Sequence, residues 1–108
     1  MKTKIGYLVD PVEKTVVEVV LSNDYRAIYP LLKCDTYDVV NINDDMDGIF
    51  VDDEGLFKDD PAFFQFDGCP SALAGRGLLL GCYGETGESR PRPVISLEDF
   101  TKRVRFEV

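Results

Sequence analysis

The pattern of apolar residues predicts an α+β fold, with one domain over residues 1–108 and a largely antiparallel sheet packed by two helices. Three observations carry this reading. Two alternating, valine-rich segments are joined by a link short enough for a hairpin. Two stretches with apolar residues at helical spacing each follow polar residues able to cap a helix. A glycine-bounded apolar run, "GLLLGCYG" (77–84), reads as a central strand.

Each element has a local reason. "KIGYLVD" (4–10) places Ile5, Tyr7 and Val9 on one face, and Asp10-Pro11 closes it as a turn. "TVVEVVLS" (15–22) is β-branched and forms the second strand. Ser22-Asn23-Asp24 then offers N-cap chemistry, and Tyr25, Ile28, Tyr29 and Leu32 fall on one helical stripe. Pro30 lies inside that stripe and predicts a kink or a short first turn. "TYDVVNIN" (36–43) and "GIFVDDEGLF" (48–57) are strand-like, with a turn from Asp44 to Asp47 between them and Asp47-Gly48 as a favoured turn pair. A loop at Asp59-Asp60-Pro61 leads into the aromatic stretch "AFFQF" (62–66). "GETGESRPRP" (84–93) reads as a loop. Ser96 caps the last helix with Asp99 as its capping-box partner, Ile95 and Phe100 form a staple, and Leu97, Phe100 and Val104 form its buried stripe. "FEV" ends the chain as a short strand.

Several chemistries are removed by composition. The chain has no histidine, so the usual general base near neutral pH, Ser-His or Cys-His nucleophiles and imidazole metal sites are absent. A carboxylate pair could act on a glycoside, but that needs a sugar-gripping cleft for which no second set of residues stands out. Gly75, Gly77 and Gly81 have the wrong spacing for a dinucleotide fingerprint and run into a strand rather than a helix. "GETGES" (84–89) lacks the lysine of a phosphate loop and carries Glu85 and Glu88, which repel phosphate. The sequence therefore predicts a non-enzymatic protein with no cofactor. Cys34, Cys69 and Cys82 form no C-x-x-C pair and read as reduced, buried thiols. The start of the chain lacks the apolar core of a secretory signal, and no apolar run is long enough to cross a bilayer. The expectation is a cytoplasmic protein without a membrane partner.

Charge is distributed unevenly. The net charge is −8, and residues 44–60 hold Asp44, Asp45, Asp47, Asp52, Asp53, Glu54, Asp59 and Asp60 against the single base Lys58. Residues 90–105 run the other way, with Arg90, Arg92, Lys102, Arg103 and Arg105 against Glu98 and Asp99. Overall acidity disfavours direct nucleic-acid binding, which needs clustered lysine and arginine. An acidic face suits a basic protein surface, a cation or simple solubility.

Within the acidic run, "NDDMDGIFVDDE" (43–54) matches the calcium-loop template D-x-[DN]-x-[DN]-G-x₅-E at Asp45, Asp47, Gly48 and Glu54, with Asn43 in place of the first aspartate. The ligands would be Asn43, Asp45, Asp47, the Ile49 carbonyl and a bidentate Glu54. Against this stand its flanks, "VVNI" and "IFV", which are strand-like where a calcium-binding helix–loop–helix needs helices. A strand at Phe50–Val51 would also keep Glu54 from closing the cage.

Four stretches together, "YLVDP" (7–11), "CDTYDVVNIN" (34–43), "FVDDEGL" (50–56) and "LAGRGLLLG" (73–81), carry a resemblance. The chain resembles a family of small uncharacterised proteins of bacteriophages, plasmids and their bacterial hosts, through to the closing "SLEDFTKRV" helix. The resemblance implies an accessory protein of a mobile element or its host, with no assigned activity and no catalytic residues. It also implies that the D-E-G-L turn is part of the scaffold.

The functional expectation is an acidic interaction protein whose 44–60 face docks a basic protein surface, with Phe57, Phe63 and Phe64 as aromatic anchors beside it. Two alternatives differ in class. One is an inhibitor of a host defence protein that imitates nucleic-acid charge. The other is a calcium- or small-ligand-binding module that uses the 43–54 loop or Arg76, the one charge beside an otherwise apolar strand. Homo-oligomerisation through an open sheet edge is a further option.

Overall fold

The computed structural model describes residues 3–42, 47–54, 62–69, 71–81 and 91–106. Its strands are β1 (Thr3–Asp10), β2 (Thr15–Ser22), β3 (Tyr37–Asn41), β4 (Asp47–Asp52), β5 (Phe63–Phe66), β6 (Leu73–Ala74), β7 (Gly77–Gly81) and β8 (Val104–Arg105). A 3-10 turn over Tyr25–Ala27 runs into helix α1 (Ile28–Leu32), and α2 spans Leu97–Arg103. Five strands form the main sheet in the order β2-β1-β7-β4-β3, every neighbour antiparallel. The remaining three form a small sheet, β6-β5-β8. The α+β class predicted from the sequence is the one observed, with the helices short.

The sheet is covered on both faces, and each strand's alternation divides between two cores. Tyr7, Val9, Ile49, Val51 and Leu79 face the small sheet and α2, where they meet Phe64, Phe66 and Phe100. Leu78 and Leu80 face the other way, towards Leu21, Ile28, Leu32 and Cys34. A strand buried on both faces reads as continuous apolar sequence, which is why β7 lacks alternation; all five of its residues are buried. Phe64 was expected on the surface and is instead fully buried, because its ring lies on Gly77. Phe63 is half-buried, and Phe57 lies outside the described residues.

Glycine's two uses separate at Gly75 and Gly77. Gly75 has φ +80°, the left-handed region of a turn. Gly77 has an ordinary backbone, but a Cβ there would stand 2.5 Å from Phe64 Cζ. Pro30 falls at the third position of α1, where its missing N–H breaks no intrahelical bond. Ser96 caps α2 as expected, its Oγ accepting from the Asp99 N–H at 3.2 Å.

Residues 91–96 strap the second helix to the sheet. Ile5 donates its N–H to the Pro91 carbonyl at 2.8 Å. The Tyr7 hydroxyl donates to the Ile95 carbonyl at 2.9 Å. Asp47 closes the strap. Its Oδ1 accepts from Val94 N–H at 2.9 Å and its Oδ2 from Ile95 N–H at 3.0 Å.

Candidate functional site

The acidic run is divided by strand β4. Asp47 opens that strand and is fully buried, so it belongs neither to an exposed acidic face nor to a turn; its carboxylate is occupied by the two strap N–H groups. Gly48 likewise lies in the strand, opposite Asn41. Residues 43–46, between β3 and β4, lie outside the described residues, Asp44 and Asp45 among them, as do Asp59 and Asp60. Asp52, Asp53 and Glu54 lie at the far end of β4, roughly 17 Å from Asp47 for an extended strand of this length. The calcium cage is therefore not formed as the motif would require, because Asp47 and Glu54 sit at opposite ends of one strand. Among the described residues no three Asp, Glu or Cys side chains converge to hold a metal.

The far end of β4 is where a site can be built. Register aligns Val9 with Gly77, Gly77 with Val51 and Val51 with Asp38 across the sheet. Beyond that line lie the β1–β2 turn, Gly75-Arg76, Asp52–Glu54 and Asp35-Thr36, all at one end of the sheet. The C-terminus of α1 reaches the same place, where Lys33 ends the helix in the left-handed conformation at φ 54°. The β1–β2 turn, the end of α1, Asp52 and Gly75-Arg76 border an open cleft of about 280 Å³. Its apolar wall is Pro11, Val12, Leu32 and Ala62, and its charged groups are Asp10, Glu13, Asp52, Lys33 and Arg76.

Arg76 holds this end together. Its Nη1 donates to the Leu31 carbonyl at 3.2 Å, and its Nη2 lies 3.3 Å from Asp10 Oδ2. Asp10 in turn shapes the β1–β2 turn, its Oδ1 accepting from Val12 N–H at 3.0 Å and Glu13 N–H at 3.2 Å. The guanidinium thus ties the end of α1 to the end of β1. It borders the cleft while serving the scaffold.

Several described carboxylates are held by a cation, as Asp10 is at the cleft. Asp24, Glu18, Glu98 and Asp67 are paired with Arg26, Arg92, Lys102 and Arg105. Asp35, Asp38, Asp53 and Glu54 enter no ion pair among the described residues, and all four are exposed. Backbone bonding brings them together, since Asp53 donates its N–H to the Thr36 carbonyl at 3.2 Å and Tyr37 pairs with Asp52. Asp52 caps its own turn, its Oδ1 accepting from Glu54 N–H at 2.9 Å.

Beside this end an aromatic ladder braces α1 against the sheet. Tyr29 and Tyr37 rings lie 5.3 Å apart, as do Tyr37 and Phe50. Burial raises the Tyr37 phenol above its ordinary range, with Tyr29 adding to the effect. Burial acts on a thiol in the same direction: it pushes Cys69 up. Cys34 is buried, and Cys82 lies outside the described residues.

Of the residues singled out in the sequence, the structure brings Asp52, Asp53 and Glu54 to one place and puts Arg76 on the cleft wall. Asp10, Glu13, Lys33 and Leu32 complete the site. The sequence marks Asp10 only within the D-P turn and Leu32 only on the helical stripe, and it gives Glu13 and Lys33 no role. No family model, curated protein or solved structure matches this chain. Among the described residues no helix is long and apolar enough to cross a membrane.

Proposed function

We propose that this chain is a non-enzymatic accessory protein of a mobile element or its bacterial host, which docks a basic protein surface on the acidic end of its sheet. The observation that carries the reading is the set of exposed carboxylates, Asp35, Asp38, Asp53 and Glu54, that enter no ion pair among the described residues, near a cleft that Glu13 and Asp52 line. The cleft's size favours a side chain over a metabolite. At about 280 Å³ it lies at the lower limit of small-molecule pockets, roughly 300–1,000 Å³. Its apolar wall suits the aliphatic stem of a lysine or arginine, whose charged head would meet Asp52 and Glu13. Unpaired surface carboxylates also steer a basic partner from a distance and set its orientation.

The probe is a short lysine- and arginine-bearing peptide, titrated into the labelled protein while amide resonances are followed. Resonances of residues 10–14, 33–38 and 52–54 are expected to move, with affinity falling about tenfold as salt rises past the Debye screening range. Binding that is indifferent to salt, or shifts confined to the α2 side, would reject this reading.

A further inference from the structure

Strand β2 forms one margin of the sheet and, among the described residues, pairs only with β1. The direction of its backbone groups follows from one hydrogen bond. Ile5 donates its N–H to Pro91, on the side of β1 away from β2. A strand residue points its N–H and C=O to the same side, so Gly6 and Leu8 are the residues that bond β2. Their register partners Val19 and Val17 are therefore committed to β1. Val16, Glu18 and Val20, in between, turn their N–H and C=O groups outward.

That margin is unusually bare. Val20 is 68% exposed and Val17 46%. The one charge in "TVVEVVLS", Glu18, is neutralised by Arg92 Nη2 at 3.3 Å. The opposite margin, β3, carries exposed Asp38 and follows exposed Asp35, both without ion pairs among the described residues. Charges of that kind keep an edge from being paired. Joining β2 to β3 of another copy would strip water from Asp38, and as a head-to-tail contact it would propagate without closing. A β2-to-β2 contact closes at two copies and buries no net like charge.

We propose that β2 pairs antiparallel with β2 of a second copy, joining the two main sheets into one across a two-fold axis at Val19. The symmetry sets residues of one face opposite each other, so the axis passes through a single residue. Glu18 on the axis would oppose two carboxylates, which destabilises a pair. Val19 on the axis keeps Val16 to Ser22 in register, the longest overlap that avoids this clash. Glu18 then faces Val20, and Val17 faces Leu21, of the second copy. This interface contains none of the residues that line the acidic cleft and does not depend on the function proposed there.

The test is sedimentation of the full chain at physiological salt, from low to high micromolar concentration. Wild type is expected to approach twice the 12.1 kDa chain mass. Val20→Glu puts a carboxylate opposite Glu18 twice per dimer and should weaken association about tenfold or more. Val20→Lys puts an ammonium there and should stay within about threefold of wild type. Unchanged unfolding temperatures at high dilution show that both variants fold. Val19 is a non-hydrogen-bonded pair on the axis, with Cα atoms about 4.5 Å apart, so Val19→Cys should cross-link to itself under mild oxidation where wild type does not. A wild type that stays monomeric, a loss of association that is the same for Glu and Lys, or a Val19→Cys chain that fails to cross-link would each overturn the proposal.

Discussion

The two ends of β4 carry carboxylates from the same acidic run and use them in opposite ways. Asp47, at the start, is fully buried and accepts from two backbone N–H groups of the strap. Asp53 and Glu54, just past the end, are exposed and enter no ion pair among the described residues. The neighbouring backbone makes the difference. At the first end residues 94–95 arrive with N–H groups that no helix or strand satisfies, and a carboxylate can serve both at once. At the other end, no such donors among the described residues are brought to Asp53 and Glu54. An aspartate in an acidic run can therefore be scaffold or surface depending on what a segment almost fifty residues away presents to it.

The strongest way to break this comparison is to remove the buried member. Asp47→Ala leaves two N–H groups without their acceptor and should cost about 2–4 kcal/mol. On a domain of this size that lowers the unfolding temperature by on the order of 10 °C or more. Asp47→Asn keeps one acceptor oxygen and should cost about half as much. Thermal and urea unfolding of both variants check this. Equal, negligible losses would make Asp47 an ordinary surface residue and the comparison void.

Much of the fold was legible, because it rests on patterns local in sequence. β2 occupies the residues its valines indicated, Ser96 caps α2, and Phe100 lies at the centre of its stripe. β6 was missed because two residues, Leu73-Ala74, carry no periodicity. Asp47 was misread because Asp-Gly is a turn signal in its own right, and only the distant strap overrides it. Phe64 reads as exposed because it follows the acidic 44–60 run, while the ring fits the space over Gly77 that a missing Cβ leaves. The cleft was legible in part. Asp52 and Arg76 stand out by charge, but Glu13 joins them through the antiparallel register of β1 with β7, and Leu32 and Lys33 through the packing of α1 on the sheet, which no single segment encodes.

One residue short of the far end of β4 runs the line Val9–Gly77–Val51, and Gly77 tests how tightly the sheet is packed beside that open end. Gly77→Ala forces a methyl against the buried Phe64 ring and the Ile49 side chain, since a Cβ would meet Phe64 Cζ at 2.5 Å. Overpacking of this kind should cost about 1–3 kcal/mol. The double variant with Phe64→Leu should recover part of the loss, because the two changes share one contact. Additive losses in the double-mutant cycle would place the strain elsewhere.

The exposed end predicts the reverse of the buried one. Asp53→Lys and Glu54→Lys remove no described ion pair and break up a cluster of like charges. Each should leave stability within about 0.5 kcal/mol of wild type, tilted towards a gain. Any gain should shrink as salt is added, because exposed charges are screened. A large loss from either would show that the far end of β4 is scaffold too.

The smallest effect comes from a carboxylate that is exposed yet paired, the intermediate case between Asp47 and Glu54. Asp24 caps the 3-10 turn, its Oδ1 accepting from Arg26 N–H at 3.0 Å, and meets the Arg26 guanidinium at 2.7 Å. Hydrogen bonds from Arg26, side chain first, hold its carboxyl down to about 2 from an ordinary 3.8. A group depressed in the folded state favours folding at every pH above its unfolded value, so the Asp24 contribution is complete above about 4. Acidification protonates the unfolded chain first, and the contribution fades between about 4 and 2, gone once the folded carboxyl is protonated as well. In Asp24→Asn the stability of wild type relative to the variant should therefore be constant near neutrality and decline only over that acidic window. Because the pair is exposed, the decline should also flatten in high salt. A wild-type advantage that instead changed between pH 5 and 8 would have another source, since neither partner in this pair titrates there.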